Sequence, residues 1–491
     1  MNVQVVNRVE STLPDDDPHP YRSGAWRPNV VEYDATELEV IGEIPSDLEG
    51  VYLRNTENPV HEAIGLYHPF DGDGMLHMIR FAGGEATYRN RFVRTDGFNA
   101  EAAAAESLWA GLLAAPTDSR RADGWGARGR MKDASSTDVV VHRGRAITSF
   151  YQCGDLYAHD PVTLAALGKE TWNGKFPSDL GISAHAKVDE NTGEMLVFNY
   201  AKDAPYMHYG VVDAAGELAH YMPIELPGPR LPHDMAFTEN YAILNDLPLF
   251  WDPSLLAQGA HVPRFFPDTP SRFAVVPRRG DVSDIRWFEA DPTYVLHWIN
   301  AYEDGDEIVL DGFFQENPEP AKRPDAGKFA SIYRYLDLHQ LKSHPHRWRF
   351  NLVTGATKEE DLSDTVMEFG MINGAYGGRS YRYSYDMTGT PGWFLFDGIV
   401  KHDLRNGAEQ RYEFGDGVFG SETPFAPRAN AQAEDDGYLV TFTTDMNNDR
   451  SECLVLDAHD IAAGPLARVR LPERISSGTH TYWATPAALS V

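Results

Sequence analysis

Short runs of alternating apolar and polar residues, broken by turn residues, fill most of the chain. Leu38–Gly42 and Gly50–Arg54 open the series, and Met75–Phe81 and Ala86–Val93 follow as a hairpin. Val139–His142, Glu194–Asn199, Glu307–Asp311, Gly437–Phe442 and Cys453–Asp457 continue it. Runs of this length and period predict half-buried strands. Asp160–Thr163 and Asp189–Gly193 carry the Asp, Pro, Asn and Gly that turn corners between them. Met235–Tyr241 continues through Ala242–Leu244 and reads as one strand whose leading edge carries His233. No crisp repeat motif is present, yet many short strands over so long a chain favour a propeller over a sandwich.

Three stretches depart from that rhythm. Residues 1–35 are polar and Pro-rich and read as an arm ahead of one propeller domain over 36–491. Ala102–Ala115 is Ala- and Leu-rich and predicts a helix ending near Pro116. With the Arg- and Gly-rich loop to Met131 it makes 100–132 a candidate cap or lid. The apolar face of such a helix packs on the domain or touches a membrane surface. Glu316–Lys328 is a Pro-rich surface loop.

Composition narrows the function classes. The chain has 491 residues, 42% hydrophobic and 12% aromatic, enough for a large turn-rich β core. Its formal net charge of −30 repels phosphate backbones and argues against nucleic-acid binding. Two cysteines, Cys153 and Cys453, are too few for a disulfide framework. Met1–Arg8 lacks the basic start and apolar core of a signal peptide, and no apolar run reaches membrane-span length. The expectation is a cytoplasmic, monomeric protein.

Candidate chemistry lies with histidines at strand edges. His185, His233, His297 and His480 share this setting, at separations far beyond any local motif such as His-x-x-x-His. Separate sheets of a propeller face one axis, so distant ligands can converge there. Four neutral imidazoles suit iron, zinc or copper and leave the ion its full charge. Ligating imidazoles hand their second N–H to an acceptor, and Glu368 and Glu422 are candidates. Phe70, Phe150, Trp298 and Trp483 offer aromatic walls for an apolar substrate, or ordinary core. Asp71, Asp73 and Asp234 admit a rival reading as hydrolytic carboxylates, although acids in tight turns are expected structurally. A metal-free binding scaffold is the other alternative.

The chain resembles the carotenoid cleavage oxygenase family from about Leu38 to Trp483. The resemblance rests on Gly50–Thr56, Phe70–Met75, Ala184–Asp189, His233–Tyr241, Asn300–Glu303 and Gly437–Val440, taken in order. It implies an all-β, seven-bladed β-propeller with helices and loops capping an axial Fe(II). It implies that His185, His233, His297 and His480 hold the iron and that Glu368 and Glu422 orient two of the imidazoles. A third glutamate is usual where this chain has Gln152, whose carbonyl accepts an N–H without negative charge. The glycine usual after the fourth histidine is Thr481 here. Stilbene-cleaving members carry a Lys where this chain has Tyr151, which favours a conjugated polyene over a phenolic stilbene. The implied reaction cleaves an alkene C=C of a carotenoid or apocarotenoid with O2, giving two carbonyl products. Cleavage of a stilbene or phenylpropanoid is the alternative within the family.

Overall fold

The alternating runs become strands because a pleated backbone sends successive side chains to opposite faces, one of which is buried. The computed structural model describes residues 1–490 except 125–129, 177–179 and 259. Its strands form seven antiparallel sheets and one separate two-stranded hairpin. This is the architecture of a seven-bladed β-propeller.

Two compact units make up the chain. One spans His185–Glu413 and holds four sheets of four strands each. Their first strands are Lys187–Asp189, Ala236–Phe237, Trp298–Asp304 and Met367–Met371. Phe273, Trp298, Trp348 and Phe350 share one of its cores, and Ile299, Phe313, Met367 and Val400 share another. Burying each of these side chains stabilises the fold by roughly 1.5–3 kcal/mol.

The other unit joins Met1–Ala184 to Phe414–Val491 and holds three sheets. Segments from both ends of the chain share two of them. Thr481–Ala484 pairs with Gly50–Glu57, and Pro465–Arg470 pairs with Val40–Gly42. The close approach at the first pair requires Gly50, at φ +150°, because a Cβ there would lie 2.6 Å from both Ala484 O and the Trp483 ring.

Three local expectations are corrected. The arm over 1–35 is not free: Asn2–Arg8 pairs with Val31–Thr36, which pairs with Glu85–Phe92. Arg94 pins this addition through both oxygens of buried Glu32, each at 2.9 Å.

The helix expected over Ala102–Ala115 instead occupies Asp96–Ala104. Thr95 caps it by accepting from Phe98 N, and Phe98 stacks on Phe92 at 5.1 Å. Ala105, at φ +54°, ends it. Beyond that point the chain bonds outward: the backbone N–H of Leu112 donates to Asp71 and that of Ala110 to Ser119 Oγ, and the Trp109 indole Nε1 donates to Asp123 O. These tertiary bonds outweigh the helix propensity of the alanines, so the helix proposed for membrane contact does not form. Residues 125–129 of the expected lid lie outside the described residues.

The run Met235–Leu244 is not one strand but a hairpin of Ala236–Phe237 and Tyr241–Asp246. Thr238 Oγ1 accepts from Asn240 N and Tyr241 N, and Glu303 takes bonds from both Thr238 and Asn240. The polar Thr-Glu-Asn step supplies the turn.

Candidate metal centre

Every sheet of the unit His185–Glu413 contributes to one cluster from its first strand or just before it. His185 precedes the strand Lys187–Asp189, His233 precedes Ala236–Phe237, and His297 adjoins Trp298–Asp304. Glu368 lies on Met367–Met371. All three imidazoles are buried. Their ring centres are 4.7 Å apart for His185–His233 and 5.1 Å for each of the other two pairs.

Nε2 of His185 is 3.1 Å from Nε2 of His233. Bonds of about 2.1 Å from one metal to two imidazoles at right angles would set their nitrogens ~3 Å apart, so the spacing fits a shared ion. His297 Nδ1 donates to Glu368 Oε2 at 2.7 Å, which directs its Nε2 as the ligand. Burial pushes the Glu368 carboxyl well above the usual carboxylate range. A cation on His297 would favour the ionised form again.

Backbone conformation is strained at this cluster. His185 has φ +65°, and Phe369, next to Glu368, has φ +56°. Left-handed backbone costs an L-residue roughly 1–2 kcal/mol. Packing holds Phe369 in place: its ring lies 4.6 Å from that of His297 and 4.8 Å from that of Phe396.

Asp234 is the clamp that aligns the three ligands, and the sequence reading did not find it. Its Oδ1 is 2.7 Å from Lys187 Nζ, two residues after His185. Its Oδ2 accepts from Trp298 N at 2.9 Å, one residue after His297. Asp234 itself follows His233, so one buried carboxylate joins all three ligand segments. The signal available in sequence was His-Asp at the second site and His-x-Lys at the first, but only the fold pairs them.

The unit of Met1–Ala184 and Phe414–Val491 repeats the histidine–glutamate motif. His480 Nδ1 lies 3.3 Å from Glu422 Oε1. Burial lowers the proton affinity of His480, but Glu422, with smaller contributions from Asp138 and Glu57, more than offsets this, and the imidazole pKa is raised. Thr481, where glycine is usual, donates its backbone N–H to Glu422 Oε2 at 2.7 Å, as glycine would, and adds a hydroxyl that donates to Glu422 O at 3.3 Å. Gln152 is buried in the tight turn after Arg145–Ser149, where Cys153 has φ +63°.

The aromatic candidates separate into two groups. Phe70, Phe150 and Tyr151 cluster with Ala134 and Ala184, with ring centres 5.6 Å apart for Phe70–Tyr151 and 4.6 Å for Phe150–Tyr151. Trp298 and Trp483 instead pack inside sheet cores, Trp298 against Phe273 and Trp348, Trp483 against Phe81. Both side chains belong to hydrophobic cores of their sheets. Asp71 and Asp73 also serve structure: Asp71 accepts from Leu112 N and Tyr151 Oη, and buried Asp73 pairs with half-buried Lys132 at 2.9 Å. With Asp234 acting as a clamp, the three acids of the hydrolase reading are each engaged in holding the fold.

Comparison with known proteins matches the geometry. The family model described as retinal pigment epithelial membrane protein matches residues 26–485. A carotenoid 9,10(9',10')-cleavage dioxygenase of Crocus sativus is 33% identical, over 96% of this chain and 90% of that protein. An isoeugenol monooxygenase of Pseudomonas nitroreducens is 30% identical, over 94% of this chain and 98% of that protein. The crystal structure of a Pseudomonas brassicacearum lignostilbene dioxygenase superimposes with a TM-score of 0.84 at 28% identity, covering 95% of this chain and 99% of that one. By its propeller, its histidine cluster and a match over nearly its whole length, the chain belongs to the retinal pigment epithelial membrane protein family, that of the carotenoid cleavage oxygenases.

Proposed function

We propose that this protein is an Fe(II)-dependent dioxygenase that cleaves one C=C bond of a carotenoid or apocarotenoid with O2. The observation that carries the reading is the convergence of His185, His233 and His297, with His297 set by Glu368. His480, oriented by Glu422 in the same way, is the proposed fourth ligand. An all-nitrogen donor set without a carboxylate suits iron and leaves it strongly cationic. When bound, iron supplies the activation of O2 that carbon chemistry alone does not provide.

The chain's own residues have different tasks. Asp234 and Glu368 hold the imidazoles in position. Phe70, Phe150 and Tyr151 are the proposed apolar wall that excludes water and aligns a conjugated chain. Gln152 is the proposed acceptor for a third imidazole, and it lowers the negative charge around the ion relative to the usual glutamate.

Cleavage of a stilbene or phenylpropanoid is the second reading, since relatives named for isoeugenol and lignostilbene match at similar identity. Tyr151 favours the polyene, because its hydroxyl donates to Asp71 at 3.4 Å and a substrate phenol would compete for that bond. Among the described residues no helix is long and apolar enough to cross a membrane. Cys153 and Cys453 are both buried, and a reducing, cytoplasmic setting is part of the proposal. We propose a monomer that meets its apolar substrate directly.

The test is product formation by Fe(II)-loaded protein, with and without O2, on carotenoids, apocarotenals and stilbenes. Aldehydes from polyenes that require both iron and O2 are expected. Products from stilbenes alone would overturn the substrate reading. Activity that survives removal of iron would overturn the mechanism.

A further inference from the structure

The strand Ser343–Asn351 carries His344 and His346 two residues apart, so both side chains lie on one face of their sheet. The neighbouring strand Thr357–Asp361 places Asp361 directly opposite His346. His344 Nε2 and His346 Nδ1 both point at Asp361 Oδ1, at 3.1 and 2.7 Å. Glu359, two residues before Asp361 and so on the same face, has Oε2 at 3.4 Å from His346 Nε2. That Nε2 is buried and makes no hydrogen bond among the described residues. The fourth ring nitrogen, His344 Nδ1, faces Lys342 O at 3.1 Å.

All four nitrogens therefore face oxygen acceptors. Two neutral imidazoles carry only two N–H donors between them, so two lone pairs would be set against oxygens. Protonating both rings would put two positive charges on side chains that are only 7% and 6% exposed. A divalent cation resolves the conflict with one charge centre. One nitrogen from each of His344 and His346 and one oxygen of Asp361 lie within 4.8 Å of one another. Tetrahedral bonds of about 2 Å place ligand atoms ~3.3 Å apart, against 3.1 and 2.7 Å for the two nitrogen–oxygen pairs here, so side-chain adjustment on strands already in register admits the ion.

We propose that His344, His346 and Asp361 form a second metal site, for a zinc-class divalent cation, with water as the fourth ligand and Glu359 as the acceptor for the other N–H of His346. Two imidazoles with a carboxylate suit Zn(II) and not the hard oxygen-seeking cations. Asp361 has a side chain 59% exposed and opens the site to solvent. Phe314 flanks the other side, its ring 5.8 Å from that of His344 and 4.9 Å from that of His346. The ion ties the last strand of its sheet, Thr357–Asp361, to the strand that precedes it. Its role is structural and independent of the three-histidine cluster.

The experiment uses the full chain, stripped with a chelator and titrated with Zn(II), in parallel with His233→Ala, His346→Ala and Asp361→Asn. Bound zinc is read by calorimetry and metal analysis, and stability by thermal melting. The expected result is one zinc equivalent fewer, or binding at least tenfold weaker, in His346→Ala and Asp361→Asn. Zinc should raise the melting temperature of His233→Ala, and should raise that of Asp361→Asn less than that of the wild type. Asp361→Asn carries the test if His346→Ala fails to fold, because the aspartate is exposed. Equal zinc stoichiometry and an equal zinc-induced melting shift in the wild type and a folded Asp361→Asn would overturn the proposal, as would the absence of any zinc binding by His233→Ala.

Discussion

Two histidine clusters in the unit His185–Glu413 are built by opposite means. His185, His233 and His297 come from three sheets and stand in loops and on strand edges, and His297 is set by the carboxylate of Glu368. His344, His346 and Asp361 come from two adjacent strands of one sheet and meet a carboxylate head-on. The first cluster needs strained backbone at His185 and a buried clamp at Asp234. The second needs only strand register. A centre that must leave coordination positions open for a substrate demands ligands from several directions, and separate sheets provide them. A centre that only ties strands together can be read from one pair of strands.

Breaking the first cluster has the largest expected effect. His233→Ala should reduce iron affinity by more than about 100-fold and abolish cleavage, because even outer partners of a ligand are worth 10–100-fold. Metal analysis after gel filtration, alongside an unchanged circular dichroism spectrum, checks this. Glu368→Gln keeps an acceptor or donor at His297 but removes the charge, and should weaken iron binding by roughly 10–100-fold. An unchanged iron dissociation constant would show that Glu368 is a packing residue only.

Asp234→Asn comes next. It loses the ion pair with Lys187 while retaining most of its volume, and Lys187 is partly exposed, so about 1–3 kcal/mol of stability should be lost. Urea denaturation measures that loss. Metal affinity should fall in parallel, because three ligand segments share this one side chain.

Gln152→Glu sharpens the contrast in the other direction. Adding the missing charge should strengthen iron retention by up to about tenfold, with little change in melting temperature. Unchanged affinity in a chelator competition would remove Gln152 from the site. The smallest effect is expected for Asp361→Asn without metal, where the half-open hydrogen bonds contribute less than about 1 kcal/mol. A much larger metal-free loss would mean that the second cluster is held by its protons.

The strand pattern was legible along most of the chain, because period-two alternation reports directly on which face is buried. Gly50–Arg54, Met75–Phe81 and Glu307–Asp311 all lie within observed strands. Met235–Leu244 misled because its polar Thr238–Asn240 step is short, and a hairpin differs from a strand only where the turn bonds form. Ala102–Ala115 misled because alanine content reports local preference, whereas Asp71 and Ser119 capture that backbone, and Asp123 the Trp109 indole, from outside the segment. Trp298 and Trp483 looked equally suited to a wall or a core, and hydrophobicity cannot separate the two.

The sequence by itself determined the β class, the acidic surface and, through its family resemblance, which histidines to watch. These follow from composition, from alternation and from short motifs, all of which act over a few residues. Tertiary structure alone decided that Asp234 joins the segments of His185, His233 and His297, that Thr481 secures Glu422, and that Asp361 stands opposite His346. Each of these is a contact between residues remote along the chain or brought side by side by register. Local periodicity carries no information about such pairs until the sheets have assembled.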